Sequence, residues 1–212
     1  HLWLAHSARP TGRLSTSRAL PELPADKKAA RAAVRAARRQ WRDDPATDRG
    51  ATAAAFRDRL LTWLTARTPG TITAYESWAT EPPTQALIAG LQDAGWRVLV
   101  PDTLPDLRLS WHDVAVAGVD LGIDAVASAD VLLIPGLAID GDGYRLGQGG
   151  GGYDRTLPLR RPGTLVVAMV FEQEIVRQVP REPHDLPVDA VLTTEAVRER
   201  DPATGRIQPG DN

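Results

Sequence analysis

The sequence contains no cysteine among its 212 residues. This absence excludes a disulfide framework, a zinc knuckle, an iron–sulfur cluster and thiol catalysis. It is compatible with a reducing compartment, and we expect a cytoplasmic protein. The sequence also lacks any apolar run of the roughly 18 residues that a membrane-spanning helix requires, so we expect no membrane partner.

The sequence also has no large excess of either charge, since it contains 25 lysines and arginines and 27 aspartates and glutamates. Affinity for a phosphate backbone is built from excess cations, so this balance argues against a protein that coats nucleic acid. We therefore expect no nucleic-acid partner. Among the cations only Lys27 and Lys28 are lysines, and all the others are arginines.

The two ends of the chain carry little that could build a core. Residues 1–20 contain arginine, serine and threonine but no acid, and they lack the continuous apolar segment of a secretory signal. We predict a disordered extension over residues 1–25 and a disordered tail over 200–212. Between them we predict a single α/β domain over 26–199 that acts as a monomer.

Helical and strand patterns alternate along this domain. Amphipathic spacing predicts helices over residues 27–42, 48–66 and 84–94. Apolar or β-rich runs predict strands over residues 71–75, 97–101, 107–111, 130–135, 164–170 and 189–194. This alternation is typical of a three-layer α/β/α fold with a mostly parallel central sheet. Ligands of such sheets bind beyond the carboxyl ends of the strands.

Four consecutive glycines, at 149–152, follow the strand predicted at 130–135. Each glycine loses extra backbone entropy on folding, so we infer that the run has a role beyond packing. Its N–H groups could approach an anion closely, and a helix beginning just after it would add its positive end. Arg145 and Arg155 flank the loop as candidate phosphate clamps, and Asp140 and Asp154 are candidate Mg²⁺ ligands. The alternative is a flexible surface loop whose glycines only make turns.

Two nucleotide-binding patterns can be compared with this loop. A P-loop requires a lysine after the glycines, and none follows. The spacing of Gly147, Gly149 and Gly152 formally satisfies the dinucleotide fingerprint, but about a dozen residues separate it from the strand end at Ile134. Glu172 lies about 20 residues further on, so a dinucleotide site stays open as a rival interpretation.

The helix predicted over residues 27–42 carries Lys27, Arg31, Arg35, Arg38 and Arg42 on one face. We interpret the part from Arg35 to Arg42 as a solvated face. Lysines in the first turn meet the positive helix end, which costs roughly 0.3–1 kcal/mol each unless an anion is present. A bound polyphosphate would remove this conflict, with Lys27 and Arg31 gripping it together. A nucleic-acid-binding module that uses this helix is the alternative, although no stacking aromatic lies on that face.

Further candidates follow the strand predicted at 71–75, and two acids lie just before and at the start of the strand predicted at 189–194. Trp78 could stack on a flat heterocycle, and Glu81 could accept hydrogen bonds from ring N–H groups. The alternative for this pair is a surface tryptophan and a capping acid. Asp185 and Asp189 are either turn formers or acids that complete a metal site with Asp154.

Together these segments resemble the 5-formyltetrahydrofolate cyclo-ligase family, whose members are also called methenyltetrahydrofolate synthetases. The most specific match runs from Ile134 to Asp140 and from Arg145 to Arg155. It is similar to the family's Pro-Gly-x-Ala-Phe-Asp, followed by Arg-Leu-Gly-aromatic-Gly-x-Gly-Tyr-Tyr-Asp. Weaker matches lie at Lys27–Arg31, at Glu81-x-x-Thr84 and at Pro183–Thr193.

The resemblance implies an ATP- and folate-binding domain and a ligase of folate-dependent one-carbon metabolism. In the implied reaction, which requires Mg²⁺, ATP passes its γ-phosphate to the formyl oxygen of 5-formyltetrahydrofolate. N10 then attacks the activated carbon, and phosphate leaves. The products are 5,10-methenyltetrahydrofolate, ADP and phosphate.

The resemblance also implies a role for each matching residue. The catalytic residues would be Arg145 and Lys27. ATP would be held by Lys27, Arg31, Arg145, Leu146, Gly147, Gln148, Gly149, Gly150, Gly151, Gly152 and Tyr153. The folate would be held by Arg31, Glu76, Trp78, Glu81, Gln148 and Gly152. The Mg²⁺ ligands would be Asp154 and Asp189.

Several positions depart from the family pattern, among them Gly150, where some members have lysine, and Glu174, where the family commonly has glutamine. Gln148 and Gly152 stand where the family usually has aromatic residues, and Glu76 stands where an apolar residue usually touches the folate. These departures leave open a second hypothesis, in which the chain is a diverged relative that binds ATP and uses a different acceptor or none.

Overall fold

Four helices are present in the computed structural model, which describes residues 19–209: α1 (Lys27–Asp43), α2 (Arg49–Leu64), α3 (Gln85–Asp93) and α4 (Gly152–Thr156). The two long helices each begin at an aspartate whose carboxylate accepts a first-turn N–H. Asp26 accepts it from Ala29 and Asp48 from Ala51, both at 2.9 Å. Such caps satisfy N–H groups that no helical carbonyl can reach. Within residues 19–209, no helix has the length and apolar character needed to cross a membrane.

The strands of residues 19–209 form a large central sheet and a small second sheet. In chain order they are β1 (Thr71–Thr73), β2 (Arg97–Thr103), β3 (Leu109–Asp113), β4 (Val131–Pro135), β5 (Ala138–Asp140), β6 (Arg145–Leu146), β7 (Leu165–Met169), β8 (Ile175–Val176), β9 (Ala190–Leu192) and β10 (Val197–Glu199). The central sheet has the order β10-β9-β7-β4-β1-β2-β3. Its four inner pairings are parallel, and its two edge pairings are antiparallel. The prediction of an α/β fold with a mostly parallel central sheet is confirmed.

Different elements cover the two faces of the central sheet. Helices α2 and α3 pack on one face through Phe56, Leu60, Leu87 and Leu91. Three short 3₁₀ turns lie at Ile123–Ser128, Leu157–Leu159 and Glu172–Glu174, and the first two cover the other face together with strand β5. Every residue of β4 is buried because this strand lies in the middle of the sheet, which accounts for its continuous apolar run.

The small sheet has the order β6-β5-β8, and the sequence did not predict it. Helix α1 packs against this sheet through Ala30 and Val34, which meet Leu137, Leu146 and Val176. The helix therefore lies beside the central sheet, at the end where β4 and β7 leave it. This position makes α1 a wall of the cleft described below.

A buried ion pair fixes α1 in this position. Arg38 is 3% exposed, and its guanidinium donates to both carboxylate oxygens of Glu174, at 2.7 and 2.9 Å. It also donates to the Gly136 carbonyl at 2.7 Å, and Glu174 accepts the Phe171 N–H at 2.9 Å. The interpretation of Arg35 to Arg42 as a solvated face is thus wrong for Arg38, because its charge is paired inside the protein.

Parts of both predicted disordered ends pack against the domain. The Pro21 carbonyl accepts the Arg177 N–H at 2.9 Å, and Leu23 packs against the small sheet. Near the other end, Arg200 and Ile207 form an antiparallel bridge, and the Ile207 N–H donates to Gly141 at 2.8 Å. The structure therefore extends the domain beyond 26–199. The remainder of the two predictions, residues 1–18 and 210–212, lies outside the described residues.

The buried pair leads to a stability prediction. Replacing Arg38 with Met leaves the Glu174 carboxylate buried and unpaired, which we expect to lower the free energy of unfolding by about 3–5 kcal/mol. Chemical denaturation monitored by circular dichroism measures this change. The double variant with Glu174→Leu should be more stable than Arg38→Met alone, and the exposed Arg42→Met control should behave as wild type. Equal stability of Arg38→Met and wild type would refute the role of the pair.

Candidate active site

A cleft of about 1000 Å³ opens where β1, β2 and β4 end. Strand β1 leads to β2 on one side, whereas β4 leads to β7 on the other, so the cleft lies at a topological switch point of the sheet. Helix α1 forms one wall, and the loop that joins β6 to α4 forms another. The cleft therefore brings together segments that are more than 100 residues apart, such as Arg31 and Gly147.

The loop between β6 and α4 binds α1 through its carbonyl groups. Arg31 donates to the Gly147 carbonyl at 2.9 Å, and Arg35 donates to the Gln148 carbonyl at 2.7 Å. Within residues 19–209, the N–H groups of residues 147–151 donate to no acceptor. Gly151 has a φ of 75°, a left-handed conformation that glycine adopts without strain and that starts α4. The loop thus presents free donors in the cleft, the property expected of an anion cradle.

Arg145, on β6, lies against this loop with its side chain only 9% exposed. Its guanidinium donates to the Pro135 carbonyl and to the Asp154 carboxylate, each at 3.1 Å. Burial lowers the pKa of this guanidinium, and the charge of Asp154 opposes that shift. An arginine stays protonated through such a shift, so Arg145 supplies a fixed positive charge at the floor of the cleft.

Lys27 is the first residue of α1, the helix that forms one wall of the cleft. Its ammonium is 3.7 Å from Glu182 and 3.5 Å from Asp185. These two carboxylates therefore offset the unfavourable interaction between Lys27 and the positive end of the helix. A phosphate that enters the cleft would have to compete with them for Lys27.

Trp78 and Glu81 lie on the far side of the cleft, in the segment that follows β1. Trp78 is 78% exposed, so its ring is available for stacking. Glu81 accepts the Trp78 N–H at 2.9 Å through Oε1, and burial raises the pKa of this carboxyl group. Thr84 closes the segment by donating to the Tyr75 carbonyl at 2.6 Å. Glu81 thus closes the turn at residues 78–81 and lines the cleft, but it caps no helix, since α3 begins after Thr84 without a side-chain hydrogen bond.

Gly152, which departs from the resemblance pattern, lies where a side chain would have little room. A Cβ atom at this position would lie 3.1 Å from the Leu107 carbonyl oxygen and 3.2 Å from a methyl group of Leu109. Both leucines belong to the hairpin that joins β2 to β3, and both line the cleft. Leu107 has a φ of 69°, an uncommon conformation for a leucine, as the hairpin turns toward the loop.

Three of the remaining candidates have structural roles. Asp189 lies at the amino end of β9, outside the cleft, where its carboxylate accepts the Val166 N–H at 2.8 Å. The prediction that it pairs with Asp154 as a metal ligand is therefore wrong. Asp140 is buried and accepts three N–H groups of its own surroundings. Arg155 is directed away from the cleft and donates to the Asp106 carbonyl at 2.8 Å.

The structure does not support the dinucleotide interpretation, because the acid that it requires lies outside the cleft. Glu172 accepts two hydrogen bonds from Arg198, at 2.8 and 2.9 Å, and does not line the cleft.

The cleft contains every residue that the resemblance assigns to ATP or folate: Lys27, Arg31, Glu76, Trp78, Glu81 and the run from Arg145 to Tyr153. Leu146 contributes its backbone only, because its side chain is buried under α1.

Asp154 is the acid of the cleft that best suits a magnesium ion. Its side chain is 60% exposed beside the free N–H groups of the loop. Mg²⁺ is usually bound by one or two carboxylates together with substrate phosphates and water, a set that Asp154 fits. Glu182, His184 and Asp185 also bring ligand atoms within 4.8 Å of one another, but Lys27 lies against both acids and disfavours a second cation there.

Tyr75 is among the cleft residues that sequence reasoning missed, together with Leu107 and Leu109. It follows β1 directly and is 5% exposed, and its ring belongs both to the main core and to the cleft lining. Tyr75 ends the strand predicted over residues 71–75, and ligands of such sheets bind at that end. The sequence analysis considered only Trp78 and Glu81, which follow it.

Comparison with known proteins gives a consistent result. Residues 24–194 match the model of the 5-formyltetrahydrofolate cyclo-ligase family. A protein of that name from Mycolicibacterium smegmatis is 35% identical over 141 residues, 58% of this chain and 73% of the relative. Its namesake from Escherichia coli K12 is 32% identical over 158 residues, 66% of this chain and 87% of the relative.

Two solved structures share the fold. The 5,10-methenyltetrahydrofolate synthetase of Mycoplasma pneumoniae has a TM-score of 0.66 and 21% identity, covering 79% of this chain and 98% of its own. The synthetase of Aquifex aeolicus has a TM-score of 0.61 and 20% identity, covering 88% and 95%.

The loop geometry predicts opposite effects for two neighbouring glycines. Within residues 19–209, no atom lies within 4 Å of a Cβ built at Gly150, so Gly150→Ala should stabilise the protein by about 0.4–1 kcal/mol. Gly152→Ala should lower stability by about 1–3 kcal/mol, because its Cβ meets backbone and side chain of the hairpin. Thermal melting of both variants measures the difference, and equal melting temperatures would contradict this loop conformation.

Proposed function

Since this chain belongs to the 5-formyltetrahydrofolate cyclo-ligase family, we propose that it converts 5-formyltetrahydrofolate into 5,10-methenyltetrahydrofolate with ATP and Mg²⁺. The observation that carries this proposal is the coexistence, in one cleft, of an anion cradle and a ring-binding wall. Free N–H groups and Arg145 lie on one side, and Trp78 and Glu81 lie on the other. We further propose that the protein is cytoplasmic and acts as a monomer.

The nucleotide would bind between α1 and the glycine loop. Lys27 and Arg31 would contact its phosphates from the helix, and the N–H groups of residues 147–151 would contact them from the loop. Phosphoryl transfer depends chiefly on positioning and charge neutralisation rather than on a protein nucleophile. The hydrogen bonds of Arg31 and Arg35 to loop carbonyls support this assignment, because they hold the loop with its donors unused.

The first chemical step joins the two substrates. The formyl oxygen attacks the γ-phosphorus of ATP, the bond from that phosphorus to the β–γ bridging oxygen breaks, and ADP leaves. Arg145 is suited to this step, since a buried and fixed guanidinium stabilises charge on the transferred group without reorganising. N10 then attacks the activated carbon and loses its proton, and phosphate departs with the former formyl oxygen.

Asp154 would hold the magnesium ion beside the phosphates. The ion, when bound, neutralises negative charge on the phosphate oxygens. Arg145 already contacts this carboxylate at 3.1 Å, so the two groups are adjacent at the floor of the cleft. Asp189 would take no part, since its carboxylate is hydrogen-bonded at the amino end of β9.

The folate would lie across the opposite wall. Trp78 would stack on a flat ring, Glu81 would accept ring N–H groups, and Leu107 and Leu109 would supply apolar contact near Gly152. Gln148 and Glu76 are both exposed at the cleft, so neither blocks its floor. This arrangement favours an intact acceptor site over the diverged relative that binds only ATP.

The nucleic-acid alternative loses support for an electrostatic reason. Three of the five cations of the predicted stripe, Arg31, Arg35 and Arg38, donate to acceptors inside the domain. Arginines that are already hydrogen-bonded face the cleft rather than offering an outer surface to a phosphate backbone.

Turnover of 5-formyltetrahydrofolate tests the proposal. Formation of the methenyl product, followed by its absorbance, should require both ATP and Mg²⁺ and should release one ADP per product. Calorimetry with each ligand separates the hypotheses. Binding of ATP without binding or turnover of the folate would favour the diverged relative, whereas absence of ATP binding would refute the proposed mechanism.

Arg145 and Arg155 form a matched pair for mutation. Arg145→Ala removes the buried charge beside the transferred phosphoryl group, so kcat/KM should fall by about 10²–10³-fold. Arg155→Ala removes an arginine ten residues later that is directed away from the cleft, and its turnover should match wild type. Comparable activity of the two variants in steady-state assays would show that the cleft geometry is misassigned.

Asp154 and Asp189 form a second matched pair. Asp154→Asn should raise the Mg²⁺ concentration needed for half-maximal rate by about tenfold or more, because it removes a charged ligand. Asp189→Asn keeps an oxygen that accepts the Val166 N–H, so its Mg²⁺ dependence should equal that of wild type. Titration of Mg²⁺ at saturating ATP measures both, and a shift confined to Asp189→Asn would reverse the assignment.

A further inference from the structure

The hydroxyl group of Tyr75 is buried at the floor of the cleft without a partner. The Tyr75 side chain is 5% exposed, and its hydroxyl forms no hydrogen bond within residues 19–209. The hydroxyl of Tyr153, on the other side of the floor, is likewise buried and unpaired in the described part of the chain. Both tyrosines line the cleft. Two buried hydroxyls without partners among the described residues therefore belong to side chains of the cleft lining.

An unpaired buried hydroxyl is costly. Leaving such a group without a partner costs about 1–3 kcal/mol, whereas a phenylalanine would fill the same space without this cost. Thr73 and Trp111 also have buried polar atoms with no partner among residues 19–209, but neither lines the cleft. Tyr75 differs from them because its side chain lines the cleft.

Glu81 indicates what kind of ligand group the hydroxyl would meet. Burial raises the pKa of Tyr75 well above its usual value, and the negative charge of Glu81 raises it further. The hydroxyl therefore stays protonated and can donate. Glu81 uses Oε1 for the Trp78 N–H, while its Oε2 accepts nothing from residues 19–209. A carboxylate acceptor and a hydroxyl donor thus lie near each other, and the carboxylate would repel a phosphate.

We propose that Tyr75 is a specificity-determining residue that donates a hydrogen bond to the ring carbonyl of the folate, beside the ring N–H groups that Glu81 accepts. This inference rests on the proposed function. The pyrimidinone ring of a reduced folate carries its amino and ring N–H donors next to the C4 carbonyl acceptor. That edge is complementary to Glu81 and Tyr75, which both line the cleft.

Tyr75→Phe tests the proposal, with two readouts that move in opposite directions. Removing an unpaired hydroxyl should leave the melting temperature of the free protein equal to or above that of wild type. The KM for 5-formyltetrahydrofolate should rise about tenfold, with kcat and the KM for ATP nearly unchanged, because the lost contact is to the folate ring. A purely structural tyrosine would instead lower the melting temperature and leave the folate KM unaltered, which would overturn the proposal.

Thr73→Val is the matched control, since it also removes a buried unpaired hydroxyl but lies outside the cleft. It should raise or preserve the melting temperature and leave the folate KM at the wild-type value. A 4-amino analogue of the folate gives an independent arm. It lacks the C4 carbonyl, so its dissociation constant should be the same for wild type and Tyr75→Phe, and a tenfold loss with this analogue would contradict the proposed acceptor.

Calorimetry with 5-formyltetrahydrofolate alone separates this inference from the function on which it rests. If wild type binds the folate and Tyr75→Phe binds it equally well, only the inference fails. If wild type binds no folate, the proposed function fails and the inference fails with it.

Discussion

The cleft depends on arginines of α1 that donate to backbone carbonyls across it. Arg31 and Arg35 bind the glycine loop, and Arg38 binds the Gly136 carbonyl and Glu174. These side chains hold α1 in place together with its apolar contacts to the small sheet and with Trp41, whose ring centroid lies 4.6 Å from that of Phe171. Because guanidinium groups occupy the carbonyls, the loop keeps its N–H groups for another partner. One set of hydrogen bonds therefore both builds the wall and orients the loop.

Sequence patterns were sufficient for the elements that bury long apolar faces. The central strand β4 is apolar throughout because it is covered on both faces, and the amphipathic spacing of α1 follows its packing on the small sheet. The small sheet itself escaped prediction, since strands of two or three residues are too short to show an alternation. The antiparallel edge strand β10 escaped for the same reason.

Individual site residues were predictable only where backbone chemistry required them. The glycine run was predictable because only a role of the main chain explains four glycines in succession, and this run lines the cleft. Asp189 resembled a metal ligand in sequence. It lies at the amino end of β9, however, whereas the cleft lies at the carboxyl ends of the parallel strands, and local sequence does not show this difference. Arg38 resembled its solvated neighbours, because burial by a partner 136 residues away leaves no trace in local spacing. Tyr75 belongs to the core and to the cleft at once, a combination that a pattern of apolar residues conceals.

The pairing of Lys27 with Glu182 and Asp185 has a consequence for discrimination among anions. A small, bare oxyanion that reached Lys27 would gain one cation while being repelled by two nearby carboxylates. A polyphosphate chain is longer, so it can also contact Arg31 and the free N–H groups of the loop, away from these carboxylates. We therefore expect the end of the cleft at Lys27 to bind a short anion less favourably than a chain of phosphates that reaches the glycine loop.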